Sequence, residues 1–101
     1  MKKFLLIFLI TVFNSKVFAN DKMILGLEVY NNKAQCGVCH TLKAAKSSGE
    51  IGPNLDQLKL SIDRIIYSVT NGIGAMRAWE GILTSEEIEA VAYYVFNNTS
   101  K

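Results

Sequence analysis

Both cysteines of the chain and its only histidine fall in one pentapeptide, Cys36-Gly37-Val38-Cys39-His40. Two thiols three residues apart stand on one turn of backbone, spaced to form thioethers with the two vinyl groups of a haem. The histidine that follows is then held under the iron as an axial ligand. Cys-x-x-Cys-His is the attachment signature of c-type haem. Zinc uses the same residue types, but a structural zinc site takes four side-chain ligands. The segment offers three, and the chain has no further Cys or His. A thioredoxin-like dithiol shares Cys-x-x-Cys but expects βαβ patterns around it, and it leaves His40 without a task. A plain disulfide across so short a loop removes little chain entropy. Covalent haem at Cys36, Cys39 and His40 is the expectation.

Lys2 and Lys3 precede an apolar run from Phe4 to Phe13, broken only by Thr11. Val17-Phe18-Ala19 then places small residues at the two positions a signal peptidase reads. Residues 1–19 are expected to be a secretory signal peptide cleaved after Ala19, leaving one domain over residues 20–101. An uncleaved anchor is the competing reading, but its apolar run is about half the roughly 20 residues a spanning helix needs. In a bacterium such a leader implies the periplasm, and no membrane span once it is removed.

Cleavage changes the charge argument. The whole chain is formally +2, yet Lys2, Lys3 and Lys16 leave with the leader, so eight basic residues face nine acidic ones. The remaining charge of −1 gives no electrostatic footprint for nucleic acid, and there is no basic stripe with interleaved aromatics. A chain of this size buries a modest core and usually needs a cofactor, metal or disulfide. With both cysteines committed, a porphyrin is the expected supplement, and the apoprotein is expected to be unfolded or molten.

The elements that position the motif are helical. From Asp21 the residues Ile24, Leu25, Leu27, Val29 and Tyr30 predict a first helix that frays at Asn31-Asn32, followed by a helical turn at the motif. Lys46 to Pro53 reads as loop. Ser61 or a residue adjacent to it is expected to cap a helix carrying Ile62, Ile65, Ile66 and Val69 and ended by Asn71-Gly72, with a Gly-containing loop over residues 73–81. Thr84-Ser85-Glu86-Glu87 has capping-box spacing, and Ile88, Val91, Ala92, Val95 and Phe96 form one apolar face beyond it. No stretch alternates with period two, so the fold class expected is all-α.

The ordered set resembles a class I cytochrome c of the small, single-haem bacterial kind, across essentially all of residues 20–101. It comprises Gly26 and Tyr30, Cys36-x-x-Cys39-His40, Gly52-Pro53-Asn54-Leu55, Asn71-Gly72-Ile73-Gly74-Ala75-Met76 and the helix from Leu83-Thr84 onward. The resemblance implies that the Pro53 carbonyl accepts from the His40 ring and that Met76 is the sixth iron ligand. It also implies that Gly26 and Tyr30 meet the last helix near Val91, Tyr94 and Val95. Arg77 is a departure, since the family often has proline straight after this methionine. Trp79 reads as core filler or a neighbour of the haem edge, and Arg77, Lys43 and Lys46 as surface charges.

With both iron faces capped, such a protein is expected to carry electrons rather than catalyse. Its partners would then be redox proteins, a dehydrogenase or an oxidase, docking transiently on a monomer. Two other readings stand beside this. One is a cytochrome subunit of a periplasmic dehydrogenase complex, for which Gly-Pro-Asn-Leu-Asp resembles small cytochromes serving sulfite-oxidising molybdenum enzymes. The other is a haem sensor or peroxidase-like protein, should Met76 not ligate.

Overall fold

In the computed structural model, which describes residues 19–99, the C-terminal capping box closes in both directions. Glu87 N donates to Thr84 Oγ1 at 3.1 Å while Thr84 N donates to Glu87 Oε1 at 2.9 Å, satisfying two amides that a helix start leaves unpaired. Behind it α4 runs Ser85–Thr99 and buries Ile88, Ala90, Val91, Ala92, Tyr94 and Val95. Phe96 packs half-buried at the margin of that face.

Helix α1, Ala19–Glu28, lies chiefly against α4. A Cβ at Gly26 would run into the Ala90 carbonyl and the Tyr94 Cβ, so the glycine is what lets the two backbones approach. The Tyr30 and Tyr94 rings meet with centroids 6.1 Å apart and planes tilted by 51°. Of the expected partners, Tyr94 is in contact, and Ala90 joins it. Instead of fraying at Asn31-Asn32, α1 widens into a π turn over Val29–Lys33, closed by Ala34 N donating to Val29 O at 2.8 Å. Val29 and Tyr30, adjacent in sequence, are both fully buried there. Burying each is worth roughly 1.5–3 kcal/mol, which outweighs regular spacing.

Two small elements were not legible as such. Thr41–Leu42 (β1) and Ser47–Ser48 (β2) pair antiparallel in a ribbon too short to show alternation, so the stretch expected as loop from Lys46 contains a strand just after its first residue. Leu55–Leu58 forms a single helical turn, α2, after Asn54, whose side chain accepts from Asp56 N at 2.9 Å. Helix α3, Ile62–Asn71, starts as expected with Ser61 Oγ accepting from Arg64 N at 3.2 Å and packs on α4 through buried Ile65. The fold class is all-α, the ribbon notwithstanding. Among the described residues no helix is long and apolar enough to cross a membrane. The expected leader lies almost wholly outside them.

Candidate haem site

The motif is bent into one tight turn by its own backbone. Gln35 enters it in the left-handed region at φ 51°, and Cys36–Val38 make a 3₁₀ turn. The amides of Cys39 and His40 both donate to Cys36 O, at 3.1 and 3.0 Å. The two thiols are free, not joined as a disulfide. Burial pushes the Cys36 thiol up to about 11, so at neutral pH it is a protonated, weakly nucleophilic group unless it is alkylated.

The segment after β2 folds back over this turn and seats the imidazole. Gly52 N donates to Cys39 O at 2.7 Å, and His40 Nδ1 lies 2.8 Å from the Pro53 carbonyl. A carbonyl can only accept, so Nδ1 carries the proton and Nε2 keeps its lone pair for a metal. Gly52 makes the seat possible. A Cβ there would lie 2.6 Å from His40 Cε1 and 2.9 Å from Nδ1.

The main chain of His40 is held from the other side by Ser47. Ser47 Oγ donates to His40 O at 3.0 Å and accepts from Leu42 N at 3.1 Å. The Tyr30 hydroxyl meets the same oxygen at 2.9 Å. Burial, offset in part by this bond, raises the Tyr30 phenol to about 12. Lys43 N donates to Asp56 Oδ2 at 3.0 Å, which ties the ribbon to α2.

Cys36, Cys39, His40 and Pro53 are thus brought together as expected. Met76 stands on a separate loop between α3 and α4, half-buried, in a two-way backbone pairing with Ile73. Among the described residues no hydrogen bond ties that loop to the motif. Apolar side chains lie exposed beside both: Val38 and Ile51 near His40, Ile73 near Met76. Free thiols on one turn, an imidazole with Nε2 unengaged and flanking apolar surface suit a covalently attached porphyrin. Zinc fits poorly, because no cluster of three or more potential metal-binding Cys, His, Asp or Glu side chains occurs among the described residues. Sequence reasoning gave no role to Ser47 and treated Gly52 only as part of a turn. Nothing in a serine seventeen residues beyond Tyr30 marks it as a hydrogen-bond hub.

This arrangement agrees with the chain's relatives. Residues 23–95 match the family described as cytochrome c oxidase, cbb3-type, subunit III, and the chain belongs to that family of class I monohaem c-type cytochromes. It is 37% identical over 86 residues to the chloroplastic cytochrome c6 of Chlamydomonas reinhardtii, covering 77% of this chain and 55% of that protein. The chain therefore spans about half the length of that relative. With cytochrome c6 of Leptolyngbya boryana it shares 34% identity over 80 residues, covering 75% of this chain and 92% of the relative. The crystal structure of the c-type cytochrome SorU from Sinorhizobium meliloti superposes with a TM-score of 0.76 at 50% identity, over 81% of this chain and 95% of that one. The protein is an electron-carrying cytochrome with one covalently bound haem c.

Proposed function

We propose that the protein shuttles single electrons in a bacterial periplasm, between redox proteins that dock on it transiently, and that it has no catalytic activity of its own. Cys36 and Cys39 would hold the haem through thioethers, and His40 and Met76 would ligate its iron. The observation that carries the reading is the 2.8 Å approach of His40 Nδ1 to the Pro53 carbonyl. It fixes the tautomer and ring plane of a metal-binding histidine in advance. Haem c supplies a one-electron ferric/ferrous couple.

The chain's own part is to hold the two ligands and exclude others. His40 is pinned by Pro53 and Ser47, and Met76 contributes a thioether that favours the reduced state. The partners we propose are a dehydrogenase and an oxidase, the family being described by a subunit of a cytochrome c oxidase. Residues 1–19 act as a leader cleaved after Ala19, and residues 20–101 work as a monomer. Potentiometric titration of the matured protein should give one reversible one-electron wave, with no peroxide-dependent turnover of a phenolic substrate. Rapid turnover would replace the carrier by a peroxidase-like protein. Stoichiometric co-purification with a dehydrogenase would make it a complex subunit.

A further inference from the structure

The chain from Gly72 to Leu83 is fixed at both ends and slack in the middle. At its start Gly72, at φ +79°, turns the chain out of α3. A Cβ there would press on Met76 O and Ala78 N at 2.7 and 2.8 Å, so the loop passes close over its own beginning. Ile73 and Met76 exchange backbone hydrogen bonds at 3.1 and 2.9 Å around Gly74. At the far end Trp79 N donates to Val69 O at 2.9 Å, and Trp79 O accepts from Ile82 N and Leu83 N at 2.9 Å each. Trp79 also packs half-buried against the core. Between these anchors, among the described residues, no backbone–backbone hydrogen bond holds Arg77 or Ala78.

A side-chain contact spans that gap. The Arg77 guanidinium lies over the Trp79 ring, 5.1 Å from its centroid. The face of an indole attracts a cation, and a planar guanidinium can lie flat on it. Because Trp79 is anchored to α3, an Arg77 side chain held on the ring restrains the peptide unit that carries Met76. Proline at this position would restrain it by locking φ. Here an exposed arginine does so by stacking on a fixed ring.

We propose that Arg77 is a positioning residue for Met76, its stack on Trp79 holding the loop so that the thioether stays on the iron; this rests on the reading of Met76 as the sixth ligand. The probe is imidazole, titrated into the ferric holoprotein. It binds where Met76 has left, so its apparent dissociation constant falls as the open fraction rises. Arg77→Leu, which removes the charge and keeps apolar bulk, is expected to bind imidazole about two- to fivefold more tightly than wild type, the factor of one exposed cation–π contact. Arg77→Lys keeps a cation within reach and should fall between the two. Arg64→Leu, the same change of charge on exposed α3 surface, should titrate as wild type. An Arg77→Leu protein that matches wild type overturns the proposal. So does an Arg77→Lys protein as open as Arg77→Leu, or an equal tightening in Arg64→Leu, which would make the effect one of net charge. A wild-type ferric spectrum without the methionine-to-iron charge-transfer band removes the ligand reading itself, and the proposal with it. With the band present and the Leu variant unchanged, only the proposal falls.

Discussion

Gly52→Ala tests the seat of the His40 imidazole most sharply. The added methyl would stand 2.6 Å from His40 Cε1, 2.9 Å from Nδ1 and 3.1 Å from Nε2, against 3.4 Å or more for ordinary contact. Either the ring or the Gly52 backbone must therefore retreat by about 0.8 Å. Neither moves freely: Gly52 N is bonded to Cys39 O at 2.7 Å, and the ring to Pro53 O at 2.8 Å. Overpacking of this kind costs about 1–3 kcal/mol, and a stretched hydrogen bond about 0.5–1.5 kcal/mol within it. With a urea slope of roughly 1.5 kcal/mol per M, a loss of about 2 kcal/mol lowers the unfolding midpoint by about 1.3 M. The assay is urea unfolding of the matured protein followed at the Soret band, together with the proton spectrum of the ferric state, where the His40 ring resonances should shift. A midpoint within about 0.3 M of wild type (some 0.5 kcal/mol at that slope) and unmoved His40 resonances would refute the seating of the imidazole against Gly52.

Ser47→Ala should cost more than Tyr30→Phe. The first takes away the Leu42 amide's side-chain partner and leaves the buried Tyr30 hydroxyl only its long 3.5 Å contact to His40 O, roughly 2–4 kcal/mol in all. The second leaves Ser47 its bonds to His40 O and Leu42 N and costs about 0.5–1.5 kcal/mol, as denaturant unfolding will measure. The Tyr30 phenol also makes stability depend on pH. Its folded pKa is raised, so its contribution is whole below the ordinary value of 10.0 and is lost as pH rises toward about 12. Tyr30→Phe should lose that part of the alkaline slope, so the stability difference between wild type and the variant should fall across this window. Thr84→Ala should lower stability by about 1 kcal/mol, or about 4–8 °C in Tm by calorimetry. In the same cap the Lys33 ammonium and the Thr84 amide hold the Glu87 carboxyl below its usual range. Its contribution is present above the ordinary glutamate range and lost as pH falls through the depressed value, and Glu87→Gln should abolish that acid-side slope. Protein made without haem should lack a cooperative thermal transition, the porphyrin being part of the core.

Much of this molecule was legible because its signals are local. Thr84 and Glu87 bond each other three residues apart, Ser61 caps the helix beside it, and the Cys36–His40 turn is closed by its own backbone. Spacing in the chain is then spacing in space. The Pro53 contact to His40 spans thirteen residues and was reached through family resemblance, since a Gly-Pro turn alone does not say what its carbonyl accepts. What stayed hidden depends on contacts between distant segments or on very short elements. Ser47 gains its role from Tyr30, seventeen residues away, and Gly52 from a ring thirteen residues from its neighbour. Two-residue strands carry no period, and the π turn at Val29–Lys33 exists because tertiary burial of Val29 and Tyr30 overrides helical spacing. Arg77 stood out as a missing proline and a surface charge; its partner is a ring two residues on, visible once the loop is folded.

The central claim is a closed iron held between His40 and Met76 in a carrier of single electrons. The optical spectrum of the haem-matured protein tests it most directly, recorded oxidised, reduced, and reduced under carbon monoxide. The account predicts a low-spin c-type spectrum, the methionine-to-iron band in the oxidised form, and no change on adding carbon monoxide to the reduced form. A high-spin spectrum, or prompt carbon monoxide binding, would mean an open iron and contradict it.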